Sequence, residues 1–228
     1  MMTNGILAVW SDVEAAGEAD YNAWYDREHL FERLAVPGFH RGRHYLTVAG
    51  SPRYFTYFVT DNAAVMASPA YLAQANHPSP WTQRVLPHFR NTNRTACRVL
   101  RRIGRGYGAA SLTVRLGAGS GQEADLIAWL GETQLPALVK QPGLLGAQLW
   151  RADRAATLLP VKDRELRPEA DQVADLVIFV EGTQIDCLEA AAERLAETTL
   201  AAYGADRPLL AIHQLLNGAE KDELPEIA

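Results

Sequence analysis

Five of the six histidines, His29, His40, His44, His77 and His88, lie in the first 90 residues, and only His213 follows. Histidine is the side chain whose unperturbed pKa, about 6.5, puts proton exchange near neutrality. Acid/base chemistry, if this chain performs any, therefore belongs to its first half. His29 closes the run Trp24-Tyr25-Asp26-Arg27-Glu28-His29, one helical turn after Tyr25 and next to Glu28. A carboxylate such as Asp26 could raise its pKa and orient the ring for proton transfer. An equal alternative is a helix-surface histidine favoured by the helix dipole.

A second group of reactive types lies in Phe39-His40-Arg41-Gly42-Arg43-His44-Tyr45. Strand alternation puts Phe39, Arg41, Arg43 and Tyr45 on one face and His40, Gly42 and His44 on the other. If the arginine face lines a cavity, Arg41 and Arg43 can hold a carboxylate or stabilise an enolate, supported by Tyr54 or Tyr57 of the next strand. Pairing with acidic groups across an interface is the competing explanation. His40 and His44 stand about 13 Å apart along a strand, too far to share a metal. Cys97 and Cys187 belong to no close-spaced ligand set, so no metal site is expected. Asn76-His77-Pro78-Ser79-Pro80-Trp81 is either a pocket lid presenting His77 and Trp81 or, more commonly, a capped helix start. There is no phosphate-binding loop, dinucleotide fingerprint or nucleophile elbow, and no cofactor is expected.

These residues need a scaffold, and its outline is an internal repeat. His29 to Phe39 aligns with Gln134 to Leu144, each copy carrying Pro-Gly at the same offset, Pro37-Gly38 and Pro142-Gly143. Around the first copy, strands are expected at 5–13, 39–48 and 53–60, a helix at 18–36, broken helical pieces from 62 to 91, and a closing strand at 94–103. Around the second, strands fall at 109–116, 144–151, 173–180 and 209–216, with helices at 122–140 and 185–199. The glycine-rich run Gly104 to Gly108 separates residues 1–106 from 107–228. Each part reads as a ferredoxin-like β-α-β-β-α-β unit with both helices on one face of its sheet. The two open faces then cover each other, as two face-to-face sheets around a barrel-like cavity; the alternative is two units joined like beads that bury their open faces against other chains. The loop at 152–170 is a flap or merely solvated, and the acidic tail after Asn217 is expected to be peripheral or to pack on a neighbouring chain. In the second copy Gln134, Leu145, Gln148 and Leu149 stand where His29, His40, Arg43 and His44 stand in the first. Any site is thus expected in the first.

Hydrophobic residues at 48% and charged residues at 21% describe a folded α+β protein with no disordered tract. The net charge of −5 offers nucleic acid no basic face. No apolar run is long enough to span a bilayer, and the start has no basic region ahead of an apolar one. The expectation is a cytoplasmic protein with a small-molecule partner and a possible homodimer.

At His29 and Pro37-Gly38, after a Trp- and Tyr-rich helix and before an aromatic strand, the sequence resembles the EthD-like family of the dimeric α+β barrel superfamily. The resemblance implies a ferredoxin-like pair enclosing an apolar pocket, and cofactor-free dehydratases, decarboxylases, isomerases and monooxygenases among the relatives. The expected activity is a lyase, dehydratase or isomerase acting on a small apolar, aromatic or polyketide-like substrate. His29 would be the acid/base, Arg41, Arg43 and Tyr25 its catalytic partners, and Trp24, Glu28, Tyr45, Tyr54, Tyr57, His77 and Trp81 the binding residues. A non-catalytic binding protein is the alternative. A haem-dependent enzyme or cofactor-free monooxygenase comes third.

Overall fold

In the computed structural model, which describes residues 4–224, eight antiparallel strands close into one barrel in the order β1-β3-β2-β8-β5-β7-β6-β4. The first half supplies β1 (Gly5–Val13), α1 (Glu18–Trp24), a π-helical turn (Tyr25–His29), α2 (Leu30–Ala35), β2 (Phe39–Gly50), β3 (Tyr54–Thr60), α3 (Pro69–Asn76), α4 (Pro80–Val85) and β4 (Phe89–Gly104). The second supplies β5 (Ala110–Ala118), α5 (Glu123–Trp129), a π-helical turn (Leu130–Gln134), α6 (Leu135–Leu138), β6 (Leu144–Ala152), α7 (Arg154–Thr157), α8 (Lys162–Glu165), β7 (Leu176–Gly182), α9 (Ile185–Arg194), α10 (Glu197–Ala201) and β8 (Ala205–Glu220). The order β-α-β-β-α-β is therefore met twice along the chain. Proline sets the short helices, since Ser68 and Ser79 accept hydrogen bonds from Tyr71 N–H and Thr82 N–H just ahead of Pro69 and Pro80.

The expected barrel forms within the one chain, though not as two separate sheets facing each other across a cavity. β2 pairs with β8 and β4 with β6, so the edges of the two halves hydrogen-bond and no edge is left open. Nor is the interior empty. Trp10, Tyr45, Phe55, Tyr57, Trp150 and Phe179 fill it, each 2% exposed or less. Eight strands enclose just enough space for side chains, and aromatic rings stacked at 5.0 Å (Trp10 on Phe55) and 4.9 Å (Trp150 on Phe179) use it up. His213 sits there as a satisfied core residue. Trp10 Nε1–H donates to Thr113 Oγ1 at 3.2 Å, which leaves the Thr113 hydroxyl to donate to His213 Nε2 at 2.9 Å, while His213 Nδ1 meets Thr47 Oγ1 at 3.0 Å.

Helices cover the outside of the barrel, and both halves pack an apolar layer between helix and sheet. The second half fills this layer with leucine, including Leu126, Leu130, Leu135, Leu138 and Leu149. The first half places Tyr21, Trp24, Tyr25 and His44 there instead. No helix among the described residues is long and apolar enough to cross a membrane.

Two stretches depart from expectation. The run 152–170 is not free in solvent. It forms α7 and α8, is fixed by Asp153 N–H to Ala96 O at 2.8 Å and Gln172 N–H to Thr92 O at 2.8 Å, and lays Ala156, Leu159 and Val161 on the first half's core. The residues after Asn217 are likewise integral as far as they are described. β8 continues to Glu220 beside Arg41 and Arg43, and Lys221 Nζ donates to Val36 O at 2.9 Å.

Candidate functional site

The helix register changes at the residue of interest. Between α1 and α2 the turn Tyr25–His29 is π-helical, carrying one extra residue, a feature frequent at functional positions. It turns His29 inward, where the ring stacks on Trp24 at 3.9 Å and meets Tyr25 and Phe58 edge-on. About 12% of the side chain is exposed, so the helix-surface alternative is excluded. The second half has the same turn at Leu130–Gln134, where Gln134 instead donates to Arg194 O at 3.1 Å.

His29 lines a cavity of about 40 Å3 between the helices and the outer face of β1, β3 and β4, together with Tyr25, Arg33, Tyr71, Arg94 and Asp163. A water needs roughly 10–15 Å3 of such space, so two or three fit. The cavity is roofed by 153–171. Arg33, 6% exposed, is paired with Asp163 of α8 and donates to Gln74 Oε1 at 3.3 Å. Arg94 donates to the Tyr71 hydroxyl. Arg164 and Arg167 both clasp Asp171, at 3.0 Å and 2.6 Å.

Electrostatics fix the protonation states. Burial, then the Arg33 charge, hold His29 well below its usual pKa, against a weaker opposite pull from Asp163. The ring is neutral, and its Nδ1 is buried with no hydrogen-bond partner; Glu32 at 3.8 Å is beyond bonding distance. His44 lies behind it, face to face with Tyr25 at 4.0 Å, with Nδ1 on Thr56 Oγ1 at 2.9 Å and Nε2 unpartnered. Burial lowers its pKa to about 3. Burial also raises the Tyr25 phenol, which stays protonated. Asp26, expected to raise the His29 pKa, is exposed and bonded to Asn217.

The structure divides the expected site residues among several places. Tyr25 and Trp24 join His29. Arg41 and Arg43 do not: a β-bulge between Phe39 and Arg41 shifts the register, so Phe39 packs with the helices while Arg41, Arg43 and Tyr45 face the barrel. Arg41 and Tyr57 line a separate cavity at one end of the barrel, and Tyr45 is buried inside it. Tyr54 faces the helices but is bonded to Glu18 and Asn22. Glu28 accepts from Ser79 Oγ, Trp81 donates to Asp20 at 2.9 Å, and exposed His77 caps α3 through Ala73 O at 2.8 Å. None of these four lines the His29 cavity.

Arg33, Tyr71, Arg94, Asp163 and Arg167 were not anticipated. Only Arg33 left a sequence signal, standing four residues after His29 on one helix face. The others arrive from distant elements.

No protein-family model matches the chain, and neither does any curated protein. Solved structures do resemble it. An anthrone oxidase-like protein superposes with a TM-score of 0.68 at 11% identity, over 100% of this chain and 97% of that one. A candidate monooxygenase from Lactobacillus acidophilus gives 0.56 at 9%, over 96% and 97%. A haem-binding protein from Thermus thermophilus gives 0.54 at 10%, over 95% and 92%. At such identities the likeness is one of fold alone, an antiparallel barrel flanked by helices. The residues of this chain do not fit a haem. In the second half both nitrogens of His213 are engaged and the helix–sheet layer is solid leucine, while the His29 cavity is far smaller than a porphyrin.

Proposed function

We propose that this protein is a cofactor-independent enzyme in which His29 moves a proton on a small, largely apolar aromatic or polyketide-like substrate, as in a lyase, dehydratase or isomerase. The observation that carries this reading is the neutral His29 ring with an unpartnered Nδ1 beside a cavity flanked by Arg33, Arg94 and Arg167. A neutral imidazole can accept a proton from carbon next to a carbonyl, and the charge that passes to the oxygen meets a guanidinium. Returning the proton to another atom completes an isomerisation; loss of a hydroxyl as water completes a dehydration. Trp24, Phe58 and Phe89 supply the apolar walls. Only the reacting end of a substrate fits in about 40 Å3, so binding requires the cover at 153–171 to shift. We further read 1–106 and 107–228 as diverged ferredoxin-like copies, with chemistry kept in the first, since the second carries Leu130, Gln134 and Leu149 where the first has Tyr25, His29 and His44.

The test is deuterium exchange from D2O at the α-carbon of an aryl ketone such as 1-tetralone, followed by NMR. His29→Gln should fold normally, hold the ketone with little change and exchange about 100- to 10,000-fold more slowly. Undiminished exchange in the variant overturns the role of His29. Binding without exchange in the unaltered protein favours a non-catalytic binding protein. A second reading draws on the apolar walls and on the oxidations for which two of the similar structures are named. The same carbanion would then reduce O2 as the oxidant, and an oxygen electrode separates the two fates.

A further inference from the structure

A second polar cavity is not used by the His29 chemistry. It opens at one end of the barrel, has a volume of about 400 Å3, and is walled by Arg41, Tyr57, Arg102, Arg105, Tyr107 and Glu181. Strand alternation opposite Gly42 and His44 brings Arg41 and Arg43 to this side. Around the mouth four guanidiniums, Arg41, Arg43, Arg102 and Arg105, outnumber three carboxyls, Glu181, Glu220 and the Asp61 paired with His40. Arg41 is paired with Glu220 and lies over the Tyr107 ring at 3.6 Å. Arg43 reaches Glu220 at 3.5 Å, yet its Nε is buried with no hydrogen-bond partner.

The glycine-rich connection forms one wall. Gly104 and Gly106, at φ +81° and +101°, turn it across the opening, and Gly108 lies so close to β7 that a Cβ would stand 2.0 Å from Gly182 O. Tyr107 is thereby held over the mouth. Val59, Ile103 and Ala147 add apolar surface.

We infer that the barrel mouth binds a small aromatic carboxylate at a site separate from the His29 cavity. Guanidinium planes take carboxylates in bidentate fashion, and Tyr57 and Tyr107 offer faces and edges to a flat ring. The volume falls within the range of about 300–1,000 Å3 usual for small-molecule sites. Glu181 forms the floor, 5% exposed and held by the Gly108 N–H. Burial pushes its carboxyl up to about 7, against the pull of Arg43, Arg41 and Arg102. Protonated, it donates to the ligand carboxylate; ionised, it repels it. The Tyr45 and Tyr57 phenols near it are kept protonated by burial, and His40 is paired with Asp61 at 2.7 Å. Protonation of Glu181 tightens binding as pH falls through neutrality, and His40, paired with Asp61, also lines the cavity.

Calorimetric titration of the full chain tests this, with benzoate as probe and inorganic phosphate and benzyl alcohol as controls lacking ring or charge. One benzoate should bind per chain, more tightly at about pH 6 than at about pH 8, and more tightly than either control. The exposed pair Arg102→Ala/Arg105→Ala should weaken it at least about tenfold, or Tyr107→Ala should if that double variant does not fold. Glu181→Gln should narrow the difference in benzoate affinity between the two pH values, and His29→Gln should bind it unchanged. Absence of saturable heat, phosphate binding as tightly as benzoate, or loss of benzoate binding in His29→Gln overturns the assignment. The last result would move benzoate to the other cavity without touching the catalytic reading.

Discussion

Replacing His44 by leucine, the residue already present at Leu149, should change the acid stability of this protein by an amount the structure fixes. His44 is 1% exposed, and its pKa falls to about 3 because burial disfavours the charged ring. In the unfolded chain the value is about 6.5. Between these values the unfolded state binds a proton that the folded state refuses, so stability is lost as pH falls from about 6.5 toward about 3. At pH about 4.5 the loss from this one group is about 2 units at 1.36 kcal/mol each, or ~2.7 kcal/mol. The figure is insensitive to the folded value as long as that stays below about 4. His44→Leu gives up one hydrogen bond to Thr56, about 1 kcal/mol at neutral pH, and removes the acid-dependent cost. Urea unfolding of both proteins from about pH 7.5 to 4.5 measures the outcome. The variant should begin less stable and end more stable, with the stability difference moving by ~2.7 kcal/mol across the series. Glu181 acts with the opposite sign but is common to both proteins and cancels. Parallel curves would refute the neutral, buried state of His44.

Other perturbations probe the cover and the closure of the barrel. Asp163→Ala removes the carboxylate on buried Arg33 and should cost about 3 kcal/mol, with faster hydrogen exchange confined to 154–171; unchanged exchange there would mean that Asp163 does not fasten the cover. Gly50→Ala places a side chain at φ +91° with its Cβ 2.4 Å from Leu210 O, where β2 meets β8, and should lower stability by about 1–3 kcal/mol in urea unfolding. A neutral result would mean that the junction between the halves gives way locally.

The elements were legible because their signals are local. Alternating β-branched and aromatic residues marked the eight strands, and Pro37-Gly38 and Pro142-Gly143 marked where the helices before β2 and β6 must stop. The asymmetry of histidine against leucine was likewise written in residue types, and it located the polar layer under α1 and α2. The π-turns were not legible, since one extra residue in a turn leaves no compositional mark, yet the turn at Tyr25–His29 decides that His29 points inward. Nor was the bulge after Phe39, which carries Phe39 to the helix side, while Arg41, Arg43 and Tyr45 keep the face opposite His44 that strand alternation gives them. What the sequence determined by itself was the order of strands and helices and the half that carries five of the six histidines. Tertiary structure decided which groups meet: Asp163 and Arg167 lie more than a hundred residues from His29, and only the closed barrel, with edges paired across the two halves, brings them over its ring.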